Sequence, residues 1–144
     1  MRGSGDDKVL IVDAAPVVRS LLRNALTARF PRIEVHEADT LQSGYRSARG
    51  VTPGLVLLEV RLPDGNGLDL ARRLNSEMPE VALCICTAQD DLEYRRAARE
   101  AGARHFISKL EWRSETLERL VRETFPGTAA RSRNRRRRAG DRGG

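Results

Sequence analysis

One pattern constrains this chain more than any other: a short, almost purely apolar run followed by a stretch with helical spacing, repeated five times. Lys8-Val9-Leu10-Ile11-Val12-Asp13 opens the series as a buried strand ending in a carboxylate. Pro16 then starts a helix in which Val18, Leu21, Leu22, Ala25 and Leu26 follow the helical period, stopped by Phe30-Pro31. Ile33 to Ala38 alternates polar and apolar residues, as a strand near a sheet edge does. Asp39 or Thr40 can cap the next helix, and Gly50 is expected to end it. Leu55-Val56-Leu57-Leu58-Glu59 is a third strand with a terminal carboxylate, followed by a Leu62–Gly67 turn and a helix bearing Leu68, Ala71 and Leu74. Val81 to Thr87 is the fourth strand, and Asp90 or Asp91 caps a helix through Tyr94, Ala97, Ala98 and Ala101, closed by Gly102. Arg104 to Lys109 is the fifth strand, and the last helix turns Leu117, Leu120 and Val121 inward with Trp112 near its start.

Central strands that are apolar on both faces must be covered on both faces. The pattern therefore predicts an α/β fold, a doubly wound five-stranded parallel sheet between two helical layers. With 144 residues, one domain spanning 8–124 has enough core to need neither disulfide nor metal. In such sheets a site forms at the carboxyl ends of the strands, where strand order reverses. That rule brings Asp13, Glu59, Thr87 and Lys109 together, and no other polar set is arranged this way.

The residues around those four resemble the receiver domain of bacterial two-component response regulators, over about residues 8–124. The resemblance is carried by Val9-Leu10-Ile11-Val12-Asp13 with Pro16-Val17-Val18-Arg19, and by Leu55 to Asp64 with Gly67. Thr87-Ala88 and the run from Gly102-Ala103 to Phe106-Ile107-Ser108-Lys109 complete it. It implies a flavodoxin-like (βα)5 fold. It also implies an aspartate nucleophile on the third strand, two acidic residues holding Mg²⁺ after the first, and a hydroxyl and a lysine on the phosphoryl oxygens. Thr87 and Lys109 fit the last two roles, and Phe106 fits an aromatic that couples the site to a partner-binding face. The resemblance puts that face near Tyr94, Phe106 and Trp112, with Val17 and Val18 of the first helix as a second candidate where kinases dock in relatives.

Two positions depart from the family. Glu59 stands where the phosphoaccepting aspartate is expected, and Ala14 stands at the second acidic position, leaving Asp13 alone as a weakened Mg²⁺ ligand. The extra methylene of glutamate moves the carboxylate by about 1.5 Å, and a misplacement near 1 Å can cost on the order of a hundredfold in rate. Together the departures argue against efficient autophosphorylation and for an atypical receiver acting as a protein-interaction module, with no enzymatic activity and no obligatory cofactor. Glu59 then either mimics a phosphorylated state through Lys109 or forms a structural ion pair with it. A phosphorylatable receiver with weak Mg²⁺-dependent phosphoacceptance is the alternative.

The formal charge of +6 is confined to the end of the chain: residues 126–144 carry seven arginines and one aspartate, and the remainder is balanced. Residues 125–144 read as a solvated, disordered tail, or as a polyanion binder in which Arg135, Arg136, Arg137 and Arg138 supply non-specific affinity for nucleic acid. Residues 1–7 read as flexible and lack the order of a secretory signal, so a cytoplasmic location is expected, with no membrane partner. The expected partner is a histidine kinase or an output protein, and a homodimer is compatible with the sequence. Cys84 and Cys86 fall on one face of the fourth strand and read as small buried apolar residues. His36 and His105 have no ligand pattern around them. The Gly65-Asn66-Gly67 turn lacks the glycine and lysine of a phosphate-binding loop.

Overall fold

The computed structural model describes residues 7–127. The expected flexible start therefore lies outside it but for Asp7, and so do Arg135, Arg136, Arg137 and Arg138 of the tail. At the two margins, the Asp7 carbonyl accepts from Glu34 N–H at 3.0 Å, and Phe125 is buried.

Five strands form one parallel sheet: β1 (Lys8–Val12), β2 (Glu34–Ala38), β3 (Leu55–Leu58), β6 (Ala82–Thr87) and β7 (His105–Ser108), in the order β2-β1-β3-β6-β7. Two short segments, β4 (Arg61–Leu62) and β5 (Gly65–Asn66), pair as an antiparallel ribbon in the turn after β3. Helices α1 (Pro16–Arg29) and α5 (Ser114–Thr124) cover one face, and α2 (Leu41–Val51), α3 (Gly67–Glu77) and α4 (Leu92–Glu100) cover the other. The order reverses between β1 and β3, so the crevice lies at their carboxyl ends.

Alternation along the strands divides the core in two. Leu10, Val12, Val56, Leu58, Leu83 and Ile85 pack with Leu70, Ala71 and Leu74 of α3 and Ala98 of α4. Val9, Ile11, Leu55, Leu57, Cys84 and Cys86 pack with Leu22 and Leu26 of α1 and Leu117, Leu120 and Val121 of α5. Because both faces are covered, β1 and β3 are buried almost end to end, and their sequences show no polar alternation.

Several local expectations are sharpened and two are corrected. Thr40 rather than Asp39 caps α2, in a reciprocal capping box with Ser43, and Asp91 rather than Asp90 caps α4. Leu21 is 51% exposed and does not join the core, because the buried stripe of α1 is narrow and runs through Leu22 and Leu26. Gly50 does not end α2. The helix continues to Val51, and Thr52 closes it in the left-handed region at φ 50°.

That arrangement puts the two residue types in each other's favoured places. A left-handed C-terminal position favours glycine, whereas glycine inside a helix costs roughly 0.5–1 kcal/mol relative to alanine. Beyond its chain neighbours and the adjoining helix backbone, no atom lies within 4 Å of a β-carbon added at Gly50. Gly50→Ala is therefore expected to stabilise the fold by about 0.5–1 kcal/mol, and Thr52→Gly to relieve strain of similar size. Urea unfolding midpoints of the two variants measure both effects. A lowered midpoint for Gly50→Ala would show that α2 does not run through this position.

Candidate functional site

Each site residue is delivered by the end of a strand. Asp13 follows β1, Glu59 follows β3, Thr87 ends β6 and Lys109 follows β7. The register aligns these ends, with Val12 beside Leu58 and Thr87 beside Ser108. The side chains of Asp13, Glu59 and Lys109 meet as the strand-order rule requires, and Thr87 joins them through its carbonyl, which accepts from Lys109 N–H at 2.9 Å.

At the centre is the Lys109 ammonium, which donates to Asp13 Oδ2 at 2.5 Å and to Glu59 Oε1 at 2.9 Å. The remaining carboxylate oxygens take backbone donors, Asp13 Oδ1 from Ala15 N–H at 2.9 Å and Glu59 Oε2 from Val60 N–H at 2.6 Å. Every oxygen of both carboxylates is thus engaged. The three side chains are 6%, 13% and 19% exposed for Asp13, Glu59 and Lys109, so the cluster is largely screened from water. Burial alone would lower the Lys109 pKa, but its hydrogen bonds to Asp13 and Glu59 outweigh this and hold it above the ordinary value.

The backbone around Glu59 is fixed closely. A β-carbon at Gly67 would lie 2.0 Å from the Glu59 carbonyl oxygen, so only glycine lets α3 start this near the end of β3. The ribbon between them is tied to α2 by Asp64, whose carboxylate accepts from Leu41 N–H at 2.7 Å and Gln42 N–H at 3.0 Å. Bonds from Gln42 and Leu41 hold the exposed Asp64 carboxyl below the ordinary range. On the other side Arg19 donates to the Asp13 carbonyl at 2.7 Å and to Glu37 Oε1 at 3.0 Å, anchoring the loop that carries Asp13.

The other expected residues are present but placed less directly. Thr87 is buried, and its hydroxyl accepts from Gln89 N–H at 3.3 Å; it makes no hydrogen bond to Glu59. Phe106 is half-buried, with the Arg95 guanidinium carbon 4.5 Å from its ring centroid. Tyr94 and Phe106 pack against the core under α3 and α4, whereas Trp112 packs against the core under α1 and α5. The expected partner face is therefore divided by the edge strand β7.

Cys84 and Cys86 are buried free thiols, as their spacing suggests. Burial pushes the Cys86 thiol up to about 12 and the Cys84 thiol well above its usual range, so neither is a ready nucleophile. Among the described residues no group of three or more His, Cys, Asp or Glu side chains could hold a metal ion, and no helix is long and apolar enough to cross a membrane.

Arg19, Asp64, Asp90, Ser108 and Arg95 were not identified from sequence as parts of the site or its supports. Ser108 donates to Asp90 Oδ2 at 2.9 Å, and Arg95 Nε donates to the Asp90 carbonyl at 3.1 Å. These contacts tie the loop before α4 to β7 and to α4 itself, and spacing alone carries no signal for them. For Asp64 there was a usable signal, a carboxylate in a turn facing the exposed amides of a helix start.

With fold and site in place, the chain matches the sequence model of the response regulator receiver domain family over residues 9–122 and belongs to that family. It is similar to the probable transcriptional regulatory protein TcrX of Mycobacterium tuberculosis, 36% identical over 101 residues that cover 70% of this chain and 42% of that protein. It is also similar to the KDP operon transcriptional regulatory protein KdpE of Escherichia coli, 37% identical over 101 residues covering 70% and 44%. The non-phosphorylated HemR receiver domain from Leptospira biflexa superposes with a TM-score of 0.74 at 30% identity, covering 83% of this chain and 95% of that one. The chain spans less than half the length of TcrX and KdpE.

The Mg²⁺ expected of such a family asks for a near-octahedral set of oxygens. Here two carboxylates face one ammonium, and the position that would add a third carboxylate is the exposed Ala14. This donor set fits the cation poorly.

Proposed function

We propose that this receiver is an atypical one, a protein-interaction module of two-component signalling that works without ordinary aspartyl phosphorylation. The observation that carries the reading is the Lys109 ammonium shared between Asp13 and Glu59 at 2.5 and 2.9 Å. Both oxygens of Glu59 are already engaged, by Lys109 and by Val60 N–H, and Ala14 adds no oxygen for the Mg²⁺ that phosphoryl transfer needs. Any divalent ion must displace Lys109 or bind with fewer protein oxygens.

Of the two ways to read Glu59, the structural ion pair is the better supported. A phosphoryl mimic would be expected to draw in the Thr87 hydroxyl, which instead accepts from Gln89 N–H. Val17 is 72% exposed, Leu21 51% and Leu110 71%, and such exposed apolar side chains suit contact with a signalling partner. TcrX and KdpE are transcriptional regulators by name, and the parts of them that this chain does not match make a separate output function the natural complement. A cytoplasmic setting follows from the same reading.

The test is an amide NMR titration with Mg²⁺ and then beryllium fluoride. The expected result is an unchanged spectrum at Asp13, Glu59, Thr87 and Lys109. Saturable shifts at those positions that spread to Phe106 would mean that the phosphorylation switch survives, and the weak Mg²⁺-dependent receiver would replace this reading.

A further inference from the structure

At the amino ends of the strands, opposite Asp13 and Glu59, the described residues form a cleft of about 510 Å³. The start of β6 lines it, with Gly54 ahead of β3 and Thr124 and Phe125 at the end of α5. A β-carbon at Gly102 would lie 2.4 Å from Asn75 Cγ, so the wall joining α3 to the loop before β7 is closely packed. Carboxylates dominate the charge of the lining: Asp7, Glu80 and Glu123 stand against Arg104, and His105 is the remaining titratable group. Glu80 and Glu123 are exposed and, among the described residues, have no hydrogen-bond or ion-pair partner. Arg104 shares the cleft without pairing to either. The sequence brings cations to the same place. Helix α5 supplies Glu123, and only residues 126–130 separate Phe125 from Arg131, where a run of six arginines begins that ends at Arg138.

We propose that the arginine-rich segment 131–138 folds back onto this cleft, with its guanidinium groups on the Glu80 and Glu123 carboxylates. The step from Phe125 to Arg131 spans roughly 20 Å when extended, which brings the segment within reach of the cleft that Phe125 itself lines. Arginine suits an open carboxylate because two parallel hydrogen bonds join the pair. Each such contact is weak at a surface. A short tether offsets this by holding the segment at an effective concentration on the order of millimolar. Six arginines also offer several equivalent pairings for two carboxylates. An acidic peptide or a nucleic acid strand would instead meet the carboxylates of Asp7, Glu80 and Glu123 unfavourably. Docking withdraws the arginines from any polyanion, which must then compete with Glu80 and Glu123 for them. The contact lies at the far end of the sheet from Lys109, so it does not depend on how Glu59 is read.

The experiment uses the full chain carrying Ala139→Cys with a nitroxide spin label, since Cys84 and Cys86 are buried and stay unlabelled. Amide NMR signals lost to the label mark where the segment lies. The expected result is loss at Asn75, Glu80, Val81 and Arg104, all distant from residue 139 in sequence, and recovery of those signals in Glu80→Gln/Glu123→Gln. Salt at about 1 M, where the screening length falls to about 3 Å, should restore them as well. Replacing Arg135, Arg136, Arg137 and Arg138 together by glutamine should do the same. Both acidic positions are exposed and unpartnered among the described residues, so the double variant keeps the fold. Signal loss that fades evenly with distance from Gly127 and is unchanged by the variants would overturn the proposal, because a tether alone produces it. Loss centred on α1 or α4 would overturn it by placing the segment elsewhere. Loss at the cleft of isotopically labelled chains mixed with separate spin-labelled ones would overturn it in favour of a second copy of the chain.

Discussion

Ala14→Asp combined with Glu59→Asp is expected to convert an unresponsive site into one that binds Mg²⁺ and then beryllium fluoride. The present cluster holds two carboxylates and one ammonium, a net charge of −1. The double variant brings it to −2 and adds a third carboxylate where Ala14 is exposed and leaves room for one. Shortening residue 59 withdraws its carboxylate by about 1.5 Å, which breaks the present 2.9 Å contact with Lys109 and frees oxygens for the cation. Phosphoacceptance from a small-molecule donor should rise on the order of a hundredfold over the parent chain, with each single change giving much less. Amide NMR and phosphorylation by acetyl phosphate measure the two steps. A double variant as inert as the parent would show that something other than positions 14 and 59 silences the site.

What is legible in this sequence depends on where each contact lies. Strands buried on both faces leave continuous apolar runs, so β1, β3 and β6 were legible with their polar ends. Those ends are aligned by sheet register, which is why Asp13, Glu59, Thr87 and Lys109 could be grouped before any distance was known. Leu21 keeps the helical period yet stays exposed, because the period admits one more apolar residue than the buried stripe of α1 uses. Gly50 is expected to end α2, but that usual meaning of a glycine is overridden here by Thr52 in the left-handed region. The Lys109 geometry was anticipated only for Glu59. That the ammonium also takes Asp13, and that backbone donors occupy the other oxygens, depends on loop conformations that spacing does not encode.

Lys109→Met tests how much the fold depends on that shared cation. Removing it leaves the Asp13 and Glu59 carboxylates together with only one backbone donor each. Breaking a fully buried pair by deleting one partner costs about 3–5 kcal/mol. Lys109 keeps 19% of its side-chain surface in water and Glu59 13%, so the expected loss near neutral pH is smaller, about 2–3 kcal/mol. The pH dependence identifies the cause. A lysine whose pKa is raised in the folded state contributes stability that is complete below its ordinary value of 10.5, and that contribution is lost as pH climbs through the folded value. The gap between parent and variant should accordingly stay constant through neutral and mildly alkaline pH, then close above 10.5. Urea unfolding across that range gives both quantities. A gap that persists unchanged at the alkaline end would assign the loss to packing of the lysine stem. No gap at any pH would mean that Asp13 and Glu59 tolerate each other without the ammonium, and the case for Lys109 as the element that fixes this receiver would fail with it.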